Sequence, residues 1–209
     1  MDNAIWEVLG IVGTIAFALS GAAVAIEEDF DLLGIFTLGF LTAFGGGAIR
    51  NVMIDLPAST LWSQGLEFNC ALVAILLMFF LPSLVNRHWR RVGVFTDAVG
   101  LAAFSIQGAL HAQNLGQPLS AVIVAAVLTG AGGGIVRDVL AGRKPGVLRS
   151  EIYAGWSILA AVLIYFQVVN SNIDYLILVV LISALRIIGY RKNWQLPKVK
   201  WKVEETKND

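Results

Sequence analysis

Charged side chains are scarce in this chain of 209 residues. Only 14% of the residues are Asp, Glu, Lys or Arg, whereas 57% are hydrophobic. Soluble domains contain about 25% charged residues, because water must solvate their surface. The composition therefore excludes an ordinary soluble domain and predicts a protein that lies largely in lipid.

Cysteine and histidine are also rare, and the chain carries no net charge. Cys70 is the single cysteine and there are two histidines, so an internal disulfide is excluded and a structural metal site is not expected. The formal net charge is zero, which gives no indication of nucleic-acid binding. The sequence also lacks a nucleophile triad pattern and a phosphate-binding loop, so we expect neither an enzyme nor a cofactor.

Long apolar segments follow one another along the chain. A bilayer core of about 30 Å is crossed by about 20 apolar residues in a helix, because backbone amides in lipid must be hydrogen-bonded within the segment. The first segment has no basic region before it, so it is predicted to be a retained span and not a signal peptide. We predict an all-α membrane protein with seven transmembrane helices at residues 4–26, 32–49, 68–85, 92–110, 119–136, 152–173 and 175–190.

Lysine and arginine are distributed unevenly between the loops. Thirteen of the 15 lie on one side of the predicted membrane, in the third-to-fourth loop, the fifth-to-sixth loop and the segment after residue 185. By the positive-inside rule that side faces the cytoplasm. We predict an inner (cytoplasmic) membrane protein with its N-terminus outside, one transmembrane domain over residues 1–190 and a basic cytoplasmic tail over residues 191–209.

The chain contains an internal repeat. A shift of 87 residues aligns residues 42–52 with residues 129–139, and six of these eleven positions are identical. Because each unit holds three spans, the second copy must cross the membrane in the opposite direction. The sequence predicts an inverted repeat of three plus three helices, at about residues 4–86 and 92–173, with an extra C-terminal helix at about 175–190.

Each repeat carries three consecutive glycines in the middle of a span. A glycine costs about 1 kcal/mol relative to alanine in a helix, so the triplets are expected to kink or break the second and fifth spans. Two glycine-interrupted spans in corresponding halves indicate a transport site near the midplane. The alternative is that small residues only let helices pack closely. The triplets are Gly45, Gly46 and Gly47, and Gly132, Gly133 and Gly134.

Polar side chains inside the spans are the further candidates for a pore lining or a gate. An arginine follows each triplet by three residues, which places it near the face of the third glycine. The alternatives are that the arginines snorkel to the interface and that the other polar groups bond to their own helix. The candidates are Thr42, Arg50, Asn51, Thr129, Arg137, Asp138, Asp97, Ser20 and Gln107.

The two repeats differ in charge, and a basic cluster follows the second triplet. Asp138 stands where the first repeat has Asn51, and Asp97 stands where it has Gly10, so the second repeat carries extra negative charge. The basic cluster could hold anionic lipid headgroups or could only set the topology. It consists of Arg143, Lys144 and Arg149.

These features resemble the trimeric intracellular cation (TRIC) channels, in their prokaryotic branch. The resemblance rests on the paired glycine-triplet motifs, on the segment Leu-Arg-Ser-Glu-Ile-Tyr-Ala at residues 148–154 and on the seven-span layout, and it covers about residues 7–190. It implies a homotrimer in which each subunit has a pore for monovalent cations, chiefly potassium as a transient ion, framed by kinked second and fifth helices. It also implies that four residues lie near the constriction: Arg50, Asn51, Arg137 and Asp138.

Two other functions remain open. Related bacterial sequences with the same double-glycine pattern have been assigned to glycine transport, so the alternative is a secondary transporter of glycine or another small neutral amino acid. An unpaired Arg50 would repel potassium but could hold a carboxylate, whereas Arg50 paired with Asp138 would suit a cation gate. The third hypothesis is a membrane scaffold in which the triplets serve only helix packing.

Overall fold

The structure is helical along almost all of the residues that it describes. It is a computed structural model, and it describes residues 3–54, 57, 59–80, 89–149 and 152–195. Predictions for residues 81–88 and 196–209, including most of the basic tail, lie outside these ranges. The described helices are α1 (Asn3–Glu27), α2 (Leu32–Met53), α3 (Ser59–Trp62), α4 (Gly65–Phe80), α5 (Trp89–Asn114), α6 (Leu119–Leu140), α7 (Gly146–Arg149), α8 (Tyr153–Tyr165) and α9 (Asn172–Lys192).

Five of the described helices are long and apolar enough to cross a membrane, namely α1, α2, α5, α6 and α9. They correspond to the predicted first, second, fourth, fifth and seventh spans. The helices of the third and sixth predicted spans, α4 and α8, are apolar but shorter, with 16 and 13 residues in the described part of the chain. An all-helical membrane protein is confirmed, and the exact number of seven spans stays a prediction.

The sixth predicted span is too long. It was expected to reach residue 173, but α8 ends at Tyr165 and the backbone turns at Gln167, where φ is 55°. Ser171 then starts α9 through a capping box with Asp174, in which each side chain accepts a hydrogen bond from the other residue's backbone. The apolar residues between the two helices extend the hydropathy pattern, but the cap satisfies the first amides of a new helix there.

The inverted repeat is visible in the packing of the helix pair α1 and α5, which run antiparallel through the centre of the molecule. The space beside Gly13 is filled by the ring of Phe104, and the space beside Gly100 is filled by the ring of Phe17. These two phenylalanines pack edge to face, with ring centroids 5.3 Å apart. Each half thus receives the aromatic side chain of the other half, as a twofold axis between them requires.

The same symmetry relates the helices that flank the central pair. Gly21 of α1 lies against the Thr42 hydroxyl and the Leu38 carbonyl of α2, and Gly108 of α5 lies against the corresponding Thr129 and Ala125 of α6. The small residues therefore bring α2 onto α1 and α6 onto α5, and they place the two glycine triplets in the middle of the molecule. The outer faces of α2 and α9 expose large apolar side chains such as Leu33 and Val180.

Candidate functional site

Both triplet-bearing helices are continuous. The structure assigns α-helix without interruption from Leu32 to Met53 and from Leu119 to Leu140. The prediction that the triplets interrupt the hydrogen-bonded helix is therefore wrong, whereas a kink without interruption stays a prediction. Tertiary packing stabilises a helix beyond the propensity of its residues, and here each glycine segment is held against the other.

The two triplets face each other across the contact between α2 and α6. A Cβ atom on Gly46 would collide with the Thr129 carbonyl and would lie 3.1 Å from the Gly133 nitrogen. A Cβ atom on Gly133 would collide with the Thr42 carbonyl, and one on Gly132 would lie 3.0 Å from the Gly46 Cα atom. The backbones are so close that side chains are excluded, so the middle glycines form the tightest part of this interface.

The third glycine of each triplet faces an arginine instead. A Cβ atom on Gly47 would lie 3.9 Å from Nη2 of Arg50, and one on Gly134 would lie 3.8 Å from Nη2 of Arg137. Both arginines are buried, at 4% and 9% exposure, so they do not snorkel to an interface. The predicted shared face of glycine and arginine is confirmed in both repeats. The two guanidinium groups lie on opposite sides of the triplet contact, because α2 and α6 run in opposite directions.

Arg137 ties three helices together. Its Nη1 atom donates to Ser20 Oγ of α1 at 2.6 Å and to Asp97 Oδ1 of α5 at 2.7 Å. Its Nε and Nη2 atoms bind Oδ1 of the neighbouring Asp138 at 2.8 and 2.7 Å. Asp138 also accepts a hydrogen bond from the backbone nitrogen of Gly146 at 2.9 Å, which fixes the start of α7. A buried cation with two carboxylates is electrically satisfied, and removing one partner would be costly.

Two residues at this site are not among those predicted from the sequence. Arg186 of α9 lies 3.6 Å from Asp97 Oδ2, and its guanidinium stacks over the Tyr153 ring at 4.5 Å from the centroid. The Tyr153 hydroxyl donates to Asp97 Oδ1 at 3.1 Å. Arg186 was counted only with the basic residues of the predicted cytoplasmic side, yet it is 5% exposed. The available signal was its position inside an apolar span, since such an ionisable residue usually faces the interior.

The Arg50 site has a different chemistry. Arg50 donates from Nε and Nη2 to Oδ1 of Asn51 at 3.0 and 2.7 Å, and Asn51 donates to the Thr60 hydroxyl at 2.8 Å. Among the described residues, no carboxylate lies within ion-pair distance of Arg50. Asp138 pairs with Arg137 and not with Arg50. The extra negative charge of the second repeat therefore stays in the second repeat.

A cavity approaches each arginine from its own side. The Arg137 cavity has a volume of about 440 Å³, and Ser20, Asp97, Arg137 and Arg186 line it together with Glu27 and Glu28 near its opening. The Arg50 cavity is only about 30 Å³ and is lined by Gly47, Arg50, Gln107 and Thr129 among others. Among the described residues, none lines both cavities, and Gly47 of the first triplet lines the Arg50 cavity.

The remaining polar candidates are placed as follows. Thr42 and Thr129 bond to their own helices, donating to the carbonyls of Leu38 and Ala125 at 2.6 Å in each case. Of these two, Thr129 also lines the Arg50 cavity. Gln107 donates to the Trp6 carbonyl at 3.4 Å and lies beside the Arg50 cavity, at the position that Ser20 occupies beside Arg137.

The basic cluster after α6 is only partly free for lipid. Arg143 binds Glu28 at 2.6 Å and Glu27 at 2.8 Å, across the opening of the Arg137 cavity. Partial burial works against its charge, but the two carboxylates outweigh this and raise the pKa of Arg143 above its ordinary value. Lys144 is exposed, and the side chain of Arg149 lies outside the described part. A lipid contact at Lys144 stays a prediction.

Fold and site together define an inverted-repeat membrane protein with two buried arginine sites on either side of a glycine contact. The family model described as "Glycine transporter" matches residues 7–83 and 94–168. The UPF0126 membrane protein YvgT of Bacillus subtilis is 51% identical over 95% of this chain and 98% of that protein. The UPF0126 inner membrane protein YadS of Escherichia coli K12 is 41% identical over 70% of each chain. The chain belongs to the family that this model describes, and these UPF0126 membrane proteins are its relatives.

Solved structures give the same fold. A prokaryotic TRIC channel crystallised in 0.5 M KCl superposes with a TM-score of 0.85 at 28% identity, over 93% of this chain and 100% of that one. The TRIC orthologue from Rhodobacter sphaeroides superposes with a TM-score of 0.80 at 28% identity, over 90% and 98%. The resemblance to the prokaryotic TRIC branch is thereby confirmed. The two sets of names differ, since one describes a transporter and the other describes channels.

Proposed function

We propose that this protein is a channel for monovalent cations, including potassium, with a permeation path inside each subunit between α2 and α6. The observation that carries the proposal is the pair of cavities that approach the facing triplets from opposite sides, each ending at a buried arginine. A fold shared over most of its length with prokaryotic TRIC channels supports the same function. The conformation described above is the closed one.

The charge around the larger cavity supports a cation path. Four carboxylates lie in or beside it, namely those of Glu27, Glu28, Asp97 and Asp138, against the three guanidinium groups of Arg137, Arg143 and Arg186. The carboxylates outnumber the guanidinium groups by one, and a cleft with an excess of one sign of charge concentrates ions of the opposite sign. Since Arg137 is compensated by two carboxylates, it does not repel a cation in the way that a bare guanidinium would.

Opening requires α2 and α6 to separate or slide at the triplets. We propose that Arg137 stabilises the closed state, because its hydrogen bonds connect α6 to α1 through Ser20 and to α5 through Asp97. The helices themselves can move without losing internal hydrogen bonds, since both are continuous through the glycines. The expected motion is therefore a rigid shift of packed helices, which small residues at the contact permit.

Glycine transport is the second candidate, and one observation favours it. Arg50 is a buried cation with only an amide partner among the described residues, so it could accept the carboxylate of an amino acid. The Arg50 cavity of about 30 Å³ holds no more than about one water molecule in this conformation. A glycine site at Arg50 would therefore require this side to open.

Reconstitution distinguishes the two functions. The purified full-length protein is placed in planar bilayers with potassium chloride, and in parallel in vesicles with labelled glycine. A channel gives discrete current steps with potassium and no saturable glycine uptake. Glycine uptake without resolvable current steps would refute the channel and support the transporter, and neither activity with a stable assembly would support the scaffold.

Assembly and orientation are part of the proposal. We expect a homotrimer, as the names of the matched channels state for those proteins, and an N-terminus outside the cell. Light scattering of the detergent-solubilised protein measures the mass of the assembly. Labelling of single cysteines introduced at Glu7 and Lys192, after replacement of Cys70, reports on opposite membrane sides. Accessibility of the Lys192 position from outside would overturn the orientation.

A further inference from the structure

A groove outside the transport site lies between the beginning of α5 and the end of α9. These helices run antiparallel, because Ser183 donates to the Ala98 carbonyl while Ile187, later on α9, lines the groove together with Val94, earlier on α5. The groove has a volume of about 710 Å³ and lies at the same end of the molecule as Glu27, since Val94 and Tyr190 line both it and the Arg137 cavity. The residues that line it are Arg91, Val94, Phe95, Ile187, Tyr190 and Arg191.

The two walls of the groove have matching patterns. On α5, Arg91 precedes Val94 and Phe95 by three and four residues, so the three side chains share a helix face. On α9, Ile187 precedes Arg191 by four residues and shares its face in the same way. The arginines lie at the membrane end of each helix and the apolar residues lie one turn deeper, which is the arrangement of polar and apolar groups in a phospholipid.

The groove is accessible and its charges are not neutralised by the described protein. Phe95 is 56% exposed and Tyr190 is 40% exposed, and both arginines are exposed. Neither Arg91 nor Arg191 forms an ion pair with a residue in the described ranges. Two guanidinium groups next to an exposed aromatic ring in a membrane protein favour an anionic headgroup with an apolar tail.

We propose that this groove binds one anionic phospholipid, whose phosphate is held by Arg91 and Arg191 and whose acyl chains lie on Phe95 and Ile187. Charge complementarity favours a lipid over a second copy of the chain, because the groove would bring two like charges into a dry interface. The positive-inside prediction places this end at the cytoplasmic leaflet, where juxtamembrane arginines are attracted to anionic lipid.

The groove shares a wall with the Arg137 cavity. Val94 and Tyr190 line both spaces. Behind Tyr190, the guanidinium of Arg186 lies 6.0 Å from its ring centroid and also contacts Asp97, which holds Arg137. A lipid in the groove contacts Tyr190, which is connected through Arg186 and Asp97 to the Arg137 contacts that close the proposed channel. This coupling rests on the proposed function, whereas lipid binding does not.

Native mass spectrometry of the full-length protein in detergent tests the binding. The probes are phosphatidylglycerol and phosphatidylcholine, and the variant is the double substitution Arg91→Gln with Arg191→Gln. We expect this variant to bind phosphatidylglycerol about 25-fold more weakly, because each basic residue at the surface contributes about a factor of five. Arg91→Lys with Arg191→Lys keeps both charges and is expected to restore most of the affinity.

The matched control is Lys192→Gln, which removes a charge next to Arg191 that does not line the groove, and it is compared with Arg191→Gln alone. Arg191→Gln removes a direct contact with the phosphate, whereas Lys192→Gln removes only a charge screened over about 8 Å at 0.15 M salt, so the control should lose clearly less affinity for phosphatidylglycerol. Equal loss in the control, equal binding of phosphatidylcholine, or displacement of the lipid by inorganic phosphate would overturn the proposal. Cross-linking of a Phe95→Cys variant, in a Cys70→Ser background, into a covalent dimer would assign the groove to a second copy instead.

Conductance separates this inference from the proposed function. Bilayers with phosphatidylglycerol are expected to change the open fraction of the unchanged protein but not that of the Arg91→Gln, Arg191→Gln variant. Tight lipid binding without any current would leave the site in place and refute the channel. Currents that are equal in both lipids would remove the coupling through Tyr190.

Discussion

The glycine contact between α2 and α6 makes a prediction that separates neighbouring glycines of one triplet. Replacing Gly46 with alanine puts a methyl group onto the Thr129 carbonyl, and replacing Gly133 puts one onto the Thr42 carbonyl. Both neighbours are backbone atoms that cannot rotate away. Replacing Gly47 puts a methyl group no closer than 3.9 Å to the Arg50 guanidinium, which is an ordinary contact.

The magnitude follows from two opposing effects. Alanine stabilises a helix by about 1 kcal/mol relative to glycine, and this gain is common to all three variants. Overpacking costs about 1–3 kcal/mol and applies only to Gly46 and Gly133. The difference between Gly46→Ala and Gly47→Ala therefore measures the collision alone. At about 2–4 °C per kcal/mol for a chain of this size, we expect their unfolding midpoints to differ by roughly 5 °C.

The assay is heating of the purified protein in detergent at one fixed rate, since membrane proteins often unfold irreversibly and the midpoint then depends on the rate. Gly47→Ala should be as stable as the unchanged protein or more stable, and Gly46→Ala and Gly133→Ala should be less stable. The double variant should lose less than the sum, because the first methyl group already parts the helices at the shared contact.

Equal midpoints for Gly46→Ala and Gly47→Ala would refute the close backbone contact at the triplets. A loss in Gly47→Ala as large as that in Gly133→Ala would do the same. In either case the triplets would have to act through backbone flexibility, as the sequence alone suggests, and the continuous helices described above would not be the state in the membrane.

Three further predictions concern the charged groups. Asp97→Asn removes one partner of the buried Arg137 and should cost about 3–5 kcal/mol, measured as a lower unfolding midpoint than that of the exposed-site control Asp29→Asn. Arg143→Gln breaks half-exposed ion pairs and should cost less than about 1 kcal/mol; a larger drop in midpoint would show that this bridge does more than close the cavity opening. Arg50→Gln should leave or raise potassium current in a channel but abolish glycine uptake in a transporter, which the two reconstitution assays report directly.

The inverted repeat could be predicted from the sequence because it depends on residue identity at a fixed shift. The same shift that aligns Gly13 with Gly100 also aligns Phe17 with Phe104, and the structure packs each glycine against the opposite phenylalanine. The face shared by each third glycine and its arginine was predictable for a similar reason, since spacing within one helix sets direction.

Contacts between helices were not predictable in this way. Arg137 binds Ser20 and Asp97, which lie 117 and 40 residues away along the chain, and no spacing rule connects them. Arg186 was counted only with the basic residues of the cytoplasmic side, because a span boundary near residue 190 leaves open whether an arginine faces lipid, water or a carboxylate. The continuity of the helices also depends on tertiary packing, which overrides the low helix propensity of glycine.

In the proposed channel, the two arginine sites stabilise the closed state unequally. On one side, Arg137 connects α6 to α1 and α5 through hydrogen bonds of 2.6 and 2.7 Å. On the other side, the hydrogen bonds found for Arg50 in the described part of the chain go to Asn51 of its own helix. Parting the helices at the Arg50 side therefore breaks fewer charged contacts than parting them at the Arg137 side. The repeats differ at Asn51 and Asp138 and at Gly10 and Asp97, so a fold with twofold symmetry has charged contacts between helices at one end only. In the proposed channel, breaking these contacts should set the rate of opening.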